Sequence, residues 1–268
     1  MLSRILTSVI GIPLVIAIIA IGNPLLRYVI MAVSLIALYE FYRVVRKQHK
    51  PIVGIGYAAV SFQYLAFNWV MEEYFVFVTV VTMVSLVTLV VCYPKYSVID
   101  VGLTILPVFY VGLMFSFMIL IRDVKDGGFW IWLIAISAWG SDTFAYFTGK
   151  SIGKHKLAPV LSPKKTIEGS IGGVIGAAVL AYIYTIIYTQ YGAFDVRQQV
   201  LWVVIGTAIG AVISQFGDLA ASAIKRFYEQ KDYGNILPGH GGILDRFDSF
   251  IFVAPVIYGM YMMAQYLQ

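Results

Sequence analysis

The chain has 268 residues, of which 60% are hydrophobic and only 12% are charged, and its net charge is +5. An average soluble domain is roughly 25% charged. Hiding so many apolar side chains in one soluble core would also require long polar helical faces, which this sequence lacks. The composition therefore excludes a soluble globular protein and indicates a polytopic membrane protein.

Apolar runs close to the ~20-residue length that a helix needs to cross a bilayer recur along the chain. In chain order they are Ile5–Gly22, Leu25–Val45, Ile52–Val70, Tyr74–Tyr93, Val98–Ile121, Phe129–Thr148, Ile171–Tyr191, Leu201–Ala221 and Ser249–Leu267. The sequence thus predicts an all-α integral membrane protein with about nine transmembrane helices. We expect a single membrane domain, with residues 1–128 mainly scaffold and residues 129–268 carrying the catalytic helices and loops.

The basic residues predict the orientation of these helices. With the N-terminus inside, 15 of the 19 Lys and Arg residues fall on the inner side. Inner segments of membrane proteins carry such an excess of Lys and Arg. The two largest polar loops, Lys150–Ser170 and Ser222–Asp248, are therefore predicted to face the cytoplasm. A multi-pass protein of the cell membrane with a cytoplasmic active site follows from this pattern.

Two aspartates, Asp142 and Asp218, lie within apolar runs. An ionised carboxylate at the centre of a membrane helix costs about 2.5 to 3.5 kcal/mol even on insertion scales, so such residues are usually functional. A structural hydrogen-bonding role is the alternative. If the eighth helix continues, Asp218, Ser222 and Lys225 stand at i, i+4 and i+7 on one face. A metal-seeking carboxylate would then lie one to two turns from a phosphate-seeking ammonium.

The loop Ser162-Pro-Lys-Lys-Thr-Ile-Glu-Gly169 contains a second cluster. Lys164 and Lys165, flanked by the hydroxyls of Ser162 and Thr166, suit a polyphosphate. The alternative is a topology signal beside the membrane. Because acidic residues are interleaved with the basic ones, topology alone explains this loop poorly.

The polar stretch Ser222–Asp248 is the richest in chemistry, with four basic residues, four acids, one His and four glycines. Asp245 and Asp248, at i and i+3, share a helix face where hard cations are often bound, although one of them could simply cap the helix. The glycines of Pro238-Gly-His-Gly-Gly let backbone N–H groups approach an anion. His240, within that cluster, is placed to touch a phosphate or a leaving group.

Together these clusters predict phosphoryl or nucleotidyl transfer assisted by magnesium, in which charge neutralisation and alignment supply most of the rate. The nucleophile would belong to a substrate. No pair of His residues has zinc-ligand spacing, and no Ser, His and Asp set suggests acyl transfer.

The stretch Ser222-Ala-Ile-Lys-Arg, followed after four residues by Lys231-Asp-Tyr-Gly-Asn-Ile-Leu-Pro-Gly-His-Gly-Gly-Ile-Leu-Asp-Arg-Phe-Asp248, resembles the signature of the phosphatidate cytidylyltransferases, also called CDP-diacylglycerol synthases. The motifs Asp142-Thr-Phe-Ala-Tyr, Gly153-Lys-His-Lys-Leu and Ser162 to Gly169 resemble that family as well. In the first half of the chain only the hydropathy is similar.

The resemblance implies that CTP and phosphatidate react to give CDP-diacylglycerol and pyrophosphate, with magnesium required and a second cation left open. It implies that Asp218, Asp245 and Asp248 hold the metal, and Asp142 is a further candidate ligand. The candidates near the reacting phosphates are Lys225, Arg226, Lys231, Asp232, His240 and Arg246. The candidates for substrate binding are Ser162, Lys164, Lys165, Thr166, Ser222, Gly241 and Gly242. Membrane lipid is an expected partner, nucleic acid is not, and a homodimer stays open.

Two other functions fit parts of the pattern. A CTP-dependent kinase of an isoprenoid alcohol would use similar clusters but release CDP instead of pyrophosphate. An ion-coupled transporter could bind its cation at Asp142 and Asp218. Separately, Gly172 with Gly176 and Gly206 with Gly210 predict closely packed faces on the seventh and eighth helices.

Overall fold

The computed structural model describes residues 2–191, 199–236 and 241–266. Within these ranges the chain is mostly helical and has one short β-hairpin. The α-helices are α1 Leu2–Ile21, α2 Leu25–Val45, α3 Val53–Leu65, α4 Phe67–Glu72, α5 Tyr74–Val91, α6 Val98–Pro107, α7 Met114–Asp123, α8 Gly127–Ala135, α9 Ser141–Ile152, α10 Ile167–Tyr191, α11 Val200–Phe227 and α12 Leu244–Tyr266. The strands are β1 Lys156–Ala158 and β2 Ser162–Thr166. Short π-helical stretches, Val108–Leu113 and Ile136–Gly140, join α6 to α7 and α8 to α9.

Six helical segments in the described part of the chain are long and apolar enough to cross a membrane. They are Leu25–Val45, Tyr74–Val91, Val98–Asp123, Ile167–Gln190, Val200–Phe227 and Leu244–Gln265. These segments confirm the prediction of a helical integral membrane protein. The predicted number of nine is not confirmed. At the third predicted position the helix is interrupted at Ala66, which leaves 13 residues in α3 and 6 in α4.

Helix α5 shows how the apolar side chains are distributed. Its buried residues are Phe77, Val81 and Ser85, spaced four residues apart, which forms one narrow stripe. The other faces expose large apolar side chains, and Phe75 is 89% exposed. A helix that is apolar all round and buries only one stripe is suited to hydrocarbon on its remaining faces.

The chain divides into two compact units. The first comprises Met1–Ser116 with Phe227–Arg246, and the second comprises Phe117–Arg226 with Phe247–Gln268. The polar stretch Ser222–Asp248 is therefore shared between the units.

Buried hydrogen bonds connect the helices of the first unit. The hydroxyls of Ser34 on α2 and Tyr64 on α3 lie 2.8 Å apart, and Tyr64 also donates to the carbonyl of Gly112 at 2.9 Å. Tyr42 donates to the carbonyl of Thr104 at 3.0 Å. Without a hydrophobic driving force between helices in lipid, such bonds and close packing hold helices together.

In the second unit, close packing depends on glycine. A Cβ atom at Gly173 would lie 2.7 Å from the carbonyl oxygen of Ser141, and one at Gly169 would lie 2.8 Å from that of Ala145. Gly172 and Gly176 lie against the side chains of Thr148 and Phe144. Helices α9 and α10 therefore approach to backbone contact. The predicted close packing of Gly172 and Gly176 is confirmed.

Candidate active site

The second unit contains a pocket of ≈ 470 Å³ at which α9, the β-hairpin, α10 and α11 meet. Five of its lining residues were predicted from the sequence: Asp142, Lys164, Lys165, Thr166 and Asp218. The others include Tyr146, Lys150, Ser170 and Gln215, which were not. The predicted loop Lys150–Ser170 and two of the four aspartates predicted to bind metal, Asp142 and Asp218, are thus brought to one cavity.

An ion pair joins two of the predicted residues across this pocket. The ammonium of Lys165 contacts Oδ2 of Asp218, and the two side chains are 25% and 31% exposed. Lys165 comes from β2 and Asp218 from α11. The ammonium of Lys165 and the carboxylate of Asp218 are therefore direct neighbours.

The hairpin is fixed by its junction with α10. Strands β1 and β2 are antiparallel, with Lys156 opposite Thr166. The hydroxyl of Thr166 accepts the N–H of Gly169 at 3.1 Å, so this threonine caps α10. Glu168 accepts the backbone N–H of Lys154 at 3.1 Å and lies 2.6 Å from the Nδ1 atom of His155. These bonds place the paired lysines beside the positive end of a long helix, where an anion is favoured.

Helix α9 supplies one wall of the pocket. Asp142, Ala145, Tyr146 and Gly149 line it, at the i, i+3, i+4 and i+7 spacing of a single helix face. The π-helical stretch Ile136–Gly140 ends directly before this wall begins. Such π-helical stretches inside α-helices are frequent at functional sites.

Gln215 holds three helices at the pocket. The hydroxyl of Ser170 on α10 donates to its Oε1, and its Nε2 donates to the carbonyl of Ser170 at 3.2 Å and to the hydroxyl of Ser141 on α9 at 3.4 Å. Sequence reasoning passed over Gln215. The only indication in the sequence is a polar amide side chain within an apolar helix, three residues before Asp218.

Helix α11 continues unbroken to Phe227, so Asp218, Ser222 and Lys225 do share one helix face, as predicted. Lys225 is buried at 8% exposure, whereas Arg226 is exposed. The same helix packs against α12 within the second unit. A Cβ at Gly217 would lie 2.8 Å from the carbonyl oxygen of Asp248, so the backbone of Asp248 lies against the turn that carries Asp218.

The remaining predicted residues lie along the polar stretch. Lys231, Asp232 and Arg246 are exposed, and Asp245 and Asp248 are buried in the first turns of α12. Ser162 begins β2, opposite Ala158. His240 lies outside the described residues.

The loop before α12 is organised by carboxylates. Oδ2 of Asp245 accepts the N–H groups of Tyr233 at 2.8 Å and of Gly242 at 3.0 Å. Gly241 has a φ of +84°, which glycine adopts without strain. Gly242 is one of the two glycines predicted to bind substrate, and its N–H is therefore bound to Asp245.

Magnesium usually takes one or two carboxylates together with substrate phosphates and water. Asp142 and Asp218, both lining the pocket, supply oxygen donors of that kind, so the donor set fits magnesium. Within the described ranges, no three acidic, His or Cys side chains form a ready-made cluster of ligands.

The fold and this pocket define a polytopic helical membrane protein with a cavity in which ammonium and carboxylate groups face each other. The family model described as the cytidylyltransferase family matches residues 2–264, and the chain belongs to that family. The phosphatidate cytidylyltransferase of Bacillus subtilis (strain 168) is 34% identical over 96% of this chain and 96% of its own length. The enzymes of the same name from Staphylococcus aureus (strain COL) and Staphylococcus haemolyticus (strain JCSC1435) are 34% and 33% identical, each over 95% of this chain and 96% of their own length.

Proposed function

We propose that this protein transfers the cytidylyl group of CTP to phosphatidate, giving CDP-diacylglycerol and pyrophosphate, in phospholipid biosynthesis. Family membership and relatives of that name over nearly the whole chain support the reaction. The structural observation that carries it is the pocket that brings Lys164 and Lys165 together with Asp142 and Asp218.

In the proposed step, an oxygen of the lipid phosphate forms a bond to the α-phosphorus of CTP. The bond from that phosphorus to the oxygen bridging to the β-phosphorus breaks, and pyrophosphate leaves with the electron pair. Negative charge builds up on the leaving group, so fixed cationic side chains accelerate the step. The protein needs no covalent nucleophile of its own.

Lys164, Lys165 and the hydroxyl of Thr166 would hold either the triphosphate tail or the lipid phosphate. Both ligands carry phosphate oxygens, which accept hydrogen bonds from ammonium groups. Lys225, Arg226, Lys231 and Arg246 are the candidates for neutralising the reacting phosphates, with Asp232 and His240 as further members of the polar stretch.

Magnesium would be held by Asp218 with Asp142 in the pocket, and by Asp245 and Asp248 at the start of α12. When bound, it would supply charge neutralisation on the phosphate oxygens.

We further propose nine membrane spans, with the polar loops at the cytoplasmic side of the cell membrane. Helical segments at all nine predicted positions support this number, although the third is broken. The excess of basic residues in the inner segments, 15 of 19, supports the orientation.

The experiment uses purified protein in mixed micelles with phosphatidate, magnesium and CTP labelled at the α-phosphorus. Magnesium-dependent labelling of lipid, matched by pyrophosphate release, is the expected result. If instead CDP appears only when a long-chain alcohol is supplied, the protein is a lipid kinase and the proposal is wrong. Folded protein that forms neither product would lead to tests of ion transport.

A further inference from the structure

Glu40 lies on α2, inside an apolar helix, and its side chain is fully buried at 0% exposure. Its two carboxylate oxygens accept two consecutive backbone N–H groups at the start of α12. Oε1 accepts from Ile243 at 3.0 Å, and Oε2 accepts from Leu244 at 2.8 Å. The first N–H groups of a helix have no partner within the helix, and a carboxylate there also interacts favourably with the helix dipole. Glu40 thus caps α12 from a distant helix.

Two glycines make room for this carboxylate. A Cβ at Gly234 would lie 2.7 Å from Cδ of Glu40, and one at Gly242 would lie 2.6 Å from Oε1. Both distances are shorter than real Cβ contacts. The two parts of the loop, before and after residues 237–240, therefore close around a side chain of α2.

A second contact from α2 acts on the same loop. The ring of Phe41 stacks on the ring of Tyr233, with centroids 6.5 Å apart and an angle of 22° between the planes. The backbone N–H of Tyr233 donates to Oδ2 of Asp245 at 2.8 Å. Adjacent residues of α2 therefore hold both the backbone that begins α12 and the residue that fixes the carboxylate of Asp245.

We propose that Glu40 is a positioning residue of the reaction, which sets the start of α12 and with it the carboxylate of Asp245. This inference rests on the proposed function, in which Asp245 is a metal ligand. Partners that orient a ligand typically change metal affinity or activity about 10- to 100-fold when they are replaced. Burying an acid in a membrane helix is costly, and the two N–H groups compensate for that cost.

The test compares Glu40→Gln with Ser34→Ala. The amide of Gln has only one oxygen, so it can accept a hydrogen bond from one of the two backbone N–H groups. Its NH₂ group would face the second N–H group, which then has no acceptor. Ser34 is a matched control because it is buried on the same helix and bonded to Tyr64 at 2.8 Å, away from the loop. Hydrogen exchange at the amides of Ile243 and Leu244 is the readout that does not depend on activity.

For Glu40→Gln we expect faster exchange confined to these amides and their neighbours. We also expect an approximately tenfold higher magnesium concentration at half-maximal rate. Ser34→Ala should change neither. Unchanged exchange at the two amides in Glu40→Gln, or an equal magnesium shift in both variants, would overturn the inference.

If Glu40→Gln does not fold, Gly234→Ala gives the same test from the loop side, because its Cβ displaces the carboxylate. Local exchange at Ile243 and Leu244 should again increase, and no increase would contradict the proposal. The exchange result also separates this inference from the proposed function. A wild-type protein without cytidylyl transfer would refute the function, whereas an active wild type with an insensitive Glu40→Gln variant would refute only the inference.

Discussion

At the scale of single residues, the pocket contains an ion pair between Lys165 and Asp218. Each side chain is roughly a quarter to a third exposed, so solvent screens the pair only partly. Removing one partner of such a pair leaves the other charge uncompensated. Replacing Asp218 and replacing Lys165 should affect activity differently, because the carboxylate binds a cation and the ammonium binds an anion.

Asp218→Asn should abolish cytidylyl transfer while the protein stays folded, since the amide cannot replace a carboxylate as a magnesium ligand. We expect less than roughly 1% of wild-type activity in the labelled-CTP assay. Glu72→Gln, an exposed acid of α4, is the matched control and should be fully active. Near-normal turnover of Asp218→Asn at saturating magnesium would show that Asp218 is not a metal ligand.

Lys165→Gln should lower kcat/KM for the phosphate-bearing substrate that it binds by about 100-fold. Separate titrations of CTP and phosphatidate, each at saturating amounts of the other, show which substrate that is. The control is Lys156→Gln, because Lys156 is an exposed lysine of the paired strand β1. Equal, small effects of both replacements would mean that the lysines act only through general surface charge.

At the scale of elements, glycine determines how closely the helices of the second unit approach. Gly206 faces Met260, and Gly210 faces Ser137 and Val253. This confirms the close-packed glycine faces predicted for the eighth helix. Close packing matters here because lipid is as apolar as the helices, so no hydrophobic driving force brings the helices together.

Gly210→Leu should therefore impair folding rather than chemistry. A Cβ at this position would lie 2.7 Å from Oγ of Ser137, and overpacking typically costs about 1 to 3 kcal/mol. We expect a lower melting temperature in detergent, with normal KM values for the protein that remains folded. Gly102→Leu on α6 is the control, since no atom lies within 4 Å of its Cβ position. A Gly210→Leu variant of normal expression and stability would contradict the packing argument.

At the scale of the whole molecule, the orientation of the loops decides which substrates can reach them. CTP is a cytoplasmic solute with strong negative charge, and basic loops attract it. The prediction that the hairpin loop lies inside depends on the distribution of Lys and Arg alone.

This orientation can be tested with single-cysteine variants, because Cys92 is the only cysteine in the sequence. In a Cys92→Ala background, Lys154→Cys should resist a membrane-impermeant thiol reagent in intact cells and react after permeabilisation. Lys125→Cys should react in intact cells, because Lys125 lies between the fifth and sixth predicted helices, a segment that is outside when the N-terminus is inside. The reverse pattern would invert the proposed topology.

The sequence by itself determined the membrane class and the bounds of α2, because hydropathy and helical periodicity are properties of local segments. It predicted the eighth helix only to Ala221, and the structure shows that α11 continues to Phe227. It also indicated Asp142, Lys164, Lys165 and Asp218, since charge beside or within apolar runs is conspicuous. Family membership agrees with the resemblance that the polar stretch carries.

Only the tertiary structure decided which of these groups meet. The pairing of Lys165 with Asp218, the bridging role of Gln215 and the break at Ala66 have no local sequence pattern. Glu40 is the clearest case, because it accepts a hydrogen bond from Ile243, which is 203 residues away. Its partners are backbone N–H groups, which every residue except proline carries. The sequence therefore places Glu40 within an apolar run but cannot show which groups bind its carboxylate, since that depends on how distant helices pack.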